Sequence, residues 1–276
     1  MKRGAFLILL AVLLAPCARA SSFSDFNAGV DAWNDGHAEL AIEFMTKALA
    51  PGDLAPPLRA LAYLDRGLAY LKVKQPDKAV ADFSALLELK PGDENALFLR
   101  ARANWADDQL AAAITDYKTY LQATHATGPA YFVLGQAEWS AGRFADAAGD
   151  LAQAVKLSPN AYSVLWLELS RARAGAPDEK AFAQDVAALD LDDWPRPLLD
   201  YYLGKATQDD VNKAALHGDA KAQTGQKCEA DFYVGEWLLL HPGGMAAKPL
   251  IADAASHCPD DFIELHAAKA ELKRMP

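Results

Sequence analysis

The sequence is short of the residues that carry most enzyme chemistry. Three cysteines and six histidines are spread over 276 residues. No His-Glu-x-x-His, no Gly-x-Ser-x-Gly, no glycine loop of the phosphate-binding kind and no paired-cysteine zinc spacing occurs. His241, His257 and His266 come close together near Cys258, but they fall at opposite ends of one expected hairpin, so they read as surface histidines at helix ends rather than metal ligands. The acid pairs Asp192-Asp193, Asp209-Asp210 and Asp260-Asp261 sit beside a proline or a helix start, where carboxylates cap helices. The expectation is therefore a non-enzymatic protein with no cofactor and no metal. Positive charge is also scarce, 27 Lys and Arg against 37 Asp and Glu. An acidic chain of this kind has no electrostatic footprint for nucleic acid or anionic lipid. Val/Ile alternation is rare as well, which argues against strands.

One long hydrophobic run is present, at the start. Lys2 and Arg3 precede the apolar stretch Phe6 to Leu14, which is short for a bilayer span. Ala18-Arg19-Ala20 then supplies the small residues of a cleavage site. Residues 1–20 are expected to be a secretory signal cleaved before Ser21. Two alternatives stay open: a short membrane anchor, or a lipoprotein signal in which Leu14-Ala15-Pro16-Cys17 is the lipobox and Cys17 is acylated. Pro16 suits a helix break better than it suits a lipobox. Membrane association is expected only if Cys17 is lipidated; otherwise the protein is expected in the periplasm.

What the chain has in abundance is alanine and leucine at helical spacing, 52% hydrophobic in all. Leu61 to Pro91 reads as helix, tight turn, helix, with Tyr63, Gly67, Tyr70, Ala79, Phe83, Leu86 and Pro91 at fixed offsets. Gly67, Ala101 and Gly135 recur every 34 residues, as do Ala79, Ala113 and Ala147. This pattern resembles the tetratricopeptide repeat (TPR), and a right-handed superhelix of antiparallel helix hairpins is the fold it implies. Repeats are expected over 24–51 and 61–91, then a third through Ala101, Ala113 and Tyr117 to His125 and a fourth from Tyr131 to Pro159, making an array over 21–160. A fifth hairpin from Ala161 to Leu189 keeps the length without the pattern. Asp190 to Pro197 breaks the array. Short helices are expected at 198–203 and from Thr207, and a polar loop from Gly218 to Lys227, so that 161–227 is degenerate helical hairpins and loop. A TPR-like unit starts at Cys228, with Gly235, Ala247, Ala254 and Pro259 in register, and a last helix from Phe262 to Lys273 caps residues 228–276.

In a TPR the first helix of each unit lines the inner face, mainly through positions 2, 5, 9 and 12. Here position 5 holds Phe26, Leu64, Phe98, Phe132, Trp166 and Phe232. Position 9 holds Val30, Leu68, Arg102 and Gln136, and position 12 holds Trp33, Leu71, Trp105 and Trp139. Aromatic anchors beside a few polar groups suit a peptide-binding groove. The same rings could instead pack between repeats, or form a homodimer surface. Cys228 and Cys258 fall at positions 1 and 31 of the last unit, at adjacent ends of two antiparallel helices. They are expected to form a disulfide.

Beyond the repeats, LWLELSRA, DYYLGKAT and DFYVGEWLLL with a final helix resemble the family of periplasmic TPR lipoproteins typified by NlpI. That resemblance implies a dimeric adaptor that brings a processing protease together with peptidoglycan hydrolases in the cell envelope. A second reading is a TPR assembly factor for an envelope machine such as a pilus or secretin.

Overall fold

A computed structural model describes residues 11–241 and 246–275, residues 11–20 by their backbone alone. The charged start and most of the apolar run of the expected signal lie outside the described residues, as do Pro242, Gly243 and Gly244 of the last hairpin's turn. Among the described residues all regular structure is helical.

The chain divides into two compact units, Met1–Asp116 and Tyr117–Pro276. The first contains α1 (Ala11–Asn34), α2 (Ala38–Leu49), α3 (Pro56–Lys72), α4 (Pro76–Leu89), α5 (Glu94–Ala106) and the first half of α6 (Leu110–Ala123). α1 begins well before residue 24, where the first repeat is expected to start. From α1 to α5 each helix packs on the next in sequence, α1 also meets α3, and α5 is tied to α6 through Arg100 and Asp116, the arrangement of stacked hairpins.

Two devices build each hairpin. The first is the turn. Gly36, Lys74, Asp108, Gly142 and Gly175 have φ between 59° and 81°. Each such residue donates its N–H to the carbonyl three back, and the next residue donates to the carbonyl five back, as Lys74 to Leu71 and Gln75 to Tyr70. This is the Schellman closure of a helix end. Lys74 and Asp108 adopt the left-handed region without being glycine, a local cost the repeat packing overrides.

The second device is close helix contact. A Cβ at Gly67 would come within 2.6 Å of Phe83, and one at Gly135 within 2.6 Å of Leu151. Gly29 meets Met45 and Gly235 meets Ile251 in the same way. Each pair joins a small residue of the first helix to a large one of the second, so the small-residue rhythm of the sequence is a record of helix contact.

The second unit contains the rest of α6, α7 (Gly128–Ser140), α8 (Phe144–Leu157), α9 (Ala161–Arg173), α10 (Glu179–Ala187), α11 (Arg196–Tyr202), α12 (Gln208–Ala214), α13 (Ala220–Leu240), α14 (Ala247–His257) and α15 (Ile263–Arg274). Thr207 caps α12 through a capping box with Asp210, as expected for that start. One expectation fails here. Gly218 to Lys227 is not a loop: Asp219 accepts from the Ala222 N–H and opens α13 at Ala220, so Cys228 lies inside a long helix. Gly225, read as a loop residue, lets Phe262 approach; a Cβ there would be 2.8 Å from its ring. Asp260 and Asp261 precede α15 but do not cap it, since Phe262 is its N-cap residue and no side chain caps that end.

Candidate functional site

In the first unit the inner positions stay partly open. Trp33, Leu64, Leu68, Leu71 and Phe98 are half-buried, and Arg102 is exposed with its guanidinium 5.9 Å from the Phe98 ring centroid. Position 2 is more open still: Phe23 is 50% and Leu61 44% exposed. Phe26 and Trp105 are buried and serve as packing between helices.

A pair of ion bridges stiffens this unit, and the sequence reading missed it. Arg66 donates Nη2 to Asp82 Oδ1 at 2.7 Å and Nε to Oδ2 at 2.9 Å. Arg100 repeats both bonds to Asp116 at the same distances, and Asn104 adds a bond to Asp116 at 3.0 Å. Burial raises the Asp82 carboxyl above its ordinary value even though Arg66 opposes the shift. The signal was in the sequence: Arg66 and Arg100, and Asp82, Asp116 and Asp150, share the 34-residue period.

The second unit breaks that series. Leu134 stands where the arginine would be. Asp150 instead lies beside Glu138, whose side chain is buried and whose carboxyl is pushed up to about 7, by burial first and by Asp150 second, with Lys118 opposing at 3.2 Å.

Here most of the expected groove residues are covered. Trp139 and Gln136 are buried, Phe132 is half-buried, and Trp166 and Phe232 are fully buried. Trp139 meets Phe144, Trp166 and Phe232 edge-on at centroid distances of 5.6, 5.2 and 5.8 Å. Packing rather than an open groove is what this structure shows for Trp139, because α13 and α15 lie on α9 and α7. Above the rings sit four ionisable side chains. Arg173 is 2.9 Å from Glu271 and 3.7 Å from Glu236, and Arg274 is 2.6 Å from Glu271. Glu236 is wholly buried and no hydrogen bond reaches its carboxyl oxygens. Burial, then Glu271, pushes it up to about 8 against Arg173 and Arg274.

A second buried acid network braces the break in the array. Tyr162 and the Trp194 indole N–H donate to Glu229, and Tyr233 donates to Glu264 at 3.0 Å. Burial, then Glu229, pushes Glu264 up to about 7. Cys228 and Cys258 are bridged, with Cα atoms 4.9 Å apart. Among the described residues no group of three or more His, Cys, Asp or Glu is placed to hold a metal, and no helix is long and apolar enough to cross a membrane.

The repeated hairpins, their left-handed turns and their small-to-large contacts define a class of helical repeat protein. The family model described as "Tetratricopeptide repeat" matches residues 26–94, 64–129, 98–162 and 132–193. The chain belongs to the tetratricopeptide repeat family. A tetratricopeptide repeat protein from Parabacteroides merdae is 15% identical with a TM-score of 0.60, over 92% of this chain and 99% of that one. A MamA structure is 19% identical with a TM-score of 0.55, over 63% and 98% of the two chains. MamA from Desulfovibrio magneticus is 19% identical with a TM-score of 0.52, over 60% and 92%. These likenesses concern the fold. No curated protein sequence matches.

Proposed function

We propose that the protein is a non-enzymatic adaptor that acts outside the cytoplasm and docks partner proteins on the inner face of its first unit. The observation that carries this reading is the row of large apolar side chains left half-covered there, Leu64, Leu68, Leu71 and Phe98, flanked by the exposed Phe23, Leu61 and Arg102. A repeat that only stacked would have no need to present such residues to solvent; a surface that binds a segment of another chain does. The charge-and-apolar order of residues 1–20 supports export, and a buried Cys228–Cys258 bridge suits an oxidising compartment.

The particular role we favour is periplasmic, as a scaffold in peptidoglycan-hydrolase and protease turnover of the NlpI kind. It rests on the sequence resemblance of residues 165–169, 201–205 and 232–238. Expression of the full precursor in a Gram-negative host, followed by mass measurement of the mature chain and a pull-down from periplasm, tests it. A start at Ser21 with a protease and wall hydrolases in the captured set is the expected result. An acylated start at Cys17 moves the protein to a membrane face, and capture of pilus or secretin subunits favours the assembly-factor reading. The double variant Leu68→Ala/Phe98→Ala should stay folded and lose at least about tenfold in partner affinity, roughly 1.4 kcal/mol. Unchanged affinity in the folded variant removes this face from the proposal.

A further inference from the structure

One carboxylate on the inner face of the first unit stands alone. Asp65 of α3 follows Leu64 and lies one turn after Leu61 and one turn before Leu68, inside the half-open apolar row. Ala62, three residues before it, packs in the cluster of Phe26 and Val30, and Ala69, four residues after it, in the cluster of Trp33. Asp65 is therefore placed at the seam where α3 meets α1. It is half-buried there. Among the described residues no hydrogen bond or ion pair reaches its carboxylate, and burial alone holds it above its ordinary value with no cation opposing the shift.

The arginine next to it is committed elsewhere: Arg66 donates twice to Asp82 and once to Thr46. Other aspartates of this unit have partners, Asp82 and Asp116 in the bidentate ties and Asp93 as the cap of α5. An acid that only solubilises a surface stands in water, and an acid that holds a fold is bonded. Asp65 does neither. A carboxylate drawn part-way out of water without a partner carries a cost that an arriving cation removes.

The same stripe of α3 carries a charge of the other sign. Lys72 lies two turns beyond Asp65, roughly 10 Å along the helix, with Leu68 between them. It is exposed. The face is thus an apolar row with an acid in its seam and a cation further along. Charges placed in this way choose the partner and fix its direction more than they add affinity.

We propose that the inner face of the first unit takes an apolar partner segment bearing a lysine or arginine that pairs with Asp65 and, roughly 10 Å from it, a carboxylate that pairs with Lys72. This rests on the reading that partners dock on that face.

Two measurements on the full-length protein test it. The first needs no ligand. Asp65→Asn should melt at the temperature of the unmodified protein or above it, whereas Asp82→Asn, which weakens a tie, should melt lower. A loss at Asp65→Asn as large as at Asp82→Asn would make Asp65 part of the fold and overturn the proposal. The second uses a displayed library of random peptides as probe. The enriched peptides should share a lysine or arginine beside apolar residues, and a synthetic copy of one should bind Asp65→Asn at least about tenfold more weakly than the unmodified protein. With that basic residue changed to glutamate, the peptide should prefer Asp65→Lys to the unmodified protein, a rescue that a structural role would not produce. Binders that are weakened by Leu68→Ala/Phe98→Ala but not by Asp65→Asn would keep the face as a docking surface and overturn this inference alone. Binders indifferent to all of these substitutions, or a library with no binder, would overturn both. Self-association that Leu68→Ala/Phe98→Ala abolishes and Asp65→Asn leaves intact would give the face to a second copy of the chain, and also overturns the proposal.

Discussion

The two units solve the same problem with different economies. In the first, apolar contacts are dispersed: Phe26, Met45, Ala48 and Leu54 form one small cluster, Ala79, Phe83, Leu99 and Ala103 another. Each cluster belongs to one or two hairpins, and the bidentate pairs Arg66–Asp82 and Arg100–Asp116 tie each hairpin's two helices together. In the second, one continuous cluster runs from Trp139 through Trp166, Phe182 and Tyr202 to Phe232 and Ile251. There the arginine of the tie is replaced by Leu134, and long-range contacts from α13 and α15 supply the fastening. Stacked repeats need only neighbours, so their inner face remains available. A unit that folds its own tail onto that face gains a core and gives up the open surface.

The largest expected effect follows from that core. Trp139→Ala should lower the stability of the second unit by about 3–5 kcal/mol in urea unfolding, since a fully buried indole packed on three rings leaves a cavity that helices of four different elements cannot close. Leu68→Ala on the half-buried inner face of the first unit should cost less than about 2 kcal/mol. Equal losses would erase the distinction between a filled and an open face.

Next in size is the disulfide. Cys228 and Cys258 are 30 residues apart in sequence, and the loop-entropy model gives about 3–4 kcal/mol for such a ring. Gly128 and Ser158 occupy the same two places in the fourth repeat, and a Cβ at Gly128 would sit 2.6 Å from the Ser158 Cβ. This is where a TPR hairpin's outer ends come closest, and it is the reason two cysteines there can pair. Reduction should lower the melting temperature, with two thiols appearing per chain. Two reactive thiols in the denatured but unreduced protein would show the bridge does not form in solution.

The legible part of this architecture is the part with a period. Gly67, Gly135 and Gly235 announce their helix contacts in the sequence because only a residue without Cβ tolerates Phe83, Leu151 or Ile251 so near. The cysteine pair could be placed by the same register. What was not legible is non-local. Nothing in the spacing of Trp139 says whether a ring at position 12 will be covered, since the covering residues Phe232 and Arg274 lie far along the chain. The polarity and glycines of residues 218–227 favour a loop. Helix formation there follows from the Asp219 cap and from the room Gly225 leaves for Phe262, a tertiary contact that overrides local composition.

The buried acids give the third comparison. Glu236, raised to about 8, Glu138 and Glu264, each raised to about 7, all belong to the second unit. A carboxyl whose folded value is raised favours the folded state while protonated in both states. That stability is present below its ordinary value of 4.5 and is lost as pH climbs through the folded value. The second unit should therefore weaken from pH 5 to pH 8, by about 2 kcal/mol once relaxation around Glu236 is allowed for. Glu236→Gln, which holds the neutral form, should flatten the slope. A flat or rising profile in the unmodified protein would show that Arg173 and Arg274 already keep Glu236 ionised.

The smallest effect tests the tie that the second unit lacks. Arg66 and Asp82 are largely buried yet not sealed off, with side chains 16% and 5% exposed. Two parallel charge-assisted bonds in that setting are worth about 1–2 kcal/mol as a pair, below a core substitution and above a surface ion pair. Arg66→Ala alone should cost somewhat more than the pair is worth, because Asp82 is left buried without its cation and burial already raises its carboxyl. Asp82→Ala alone should cost less, since Arg66 can turn toward Thr46, which it reaches at 3.1 Å, and toward water. The double variant then isolates the coupling. Asp150 offers the control: with Leu134 in the arginine's place, Asp150→Asn should cost less than Asp82→Ala, and by weakening the hydrogen bond and removing the charge that raise Glu138 it should lower the value at which Glu138 titrates. A coupling near zero for Arg66 and Asp82, or a loss at Asp150 as large as at Asp82, would mean that the 34-residue recurrence of these aspartates reflects helix capping or solubility and not a tie between the two helices of a hairpin.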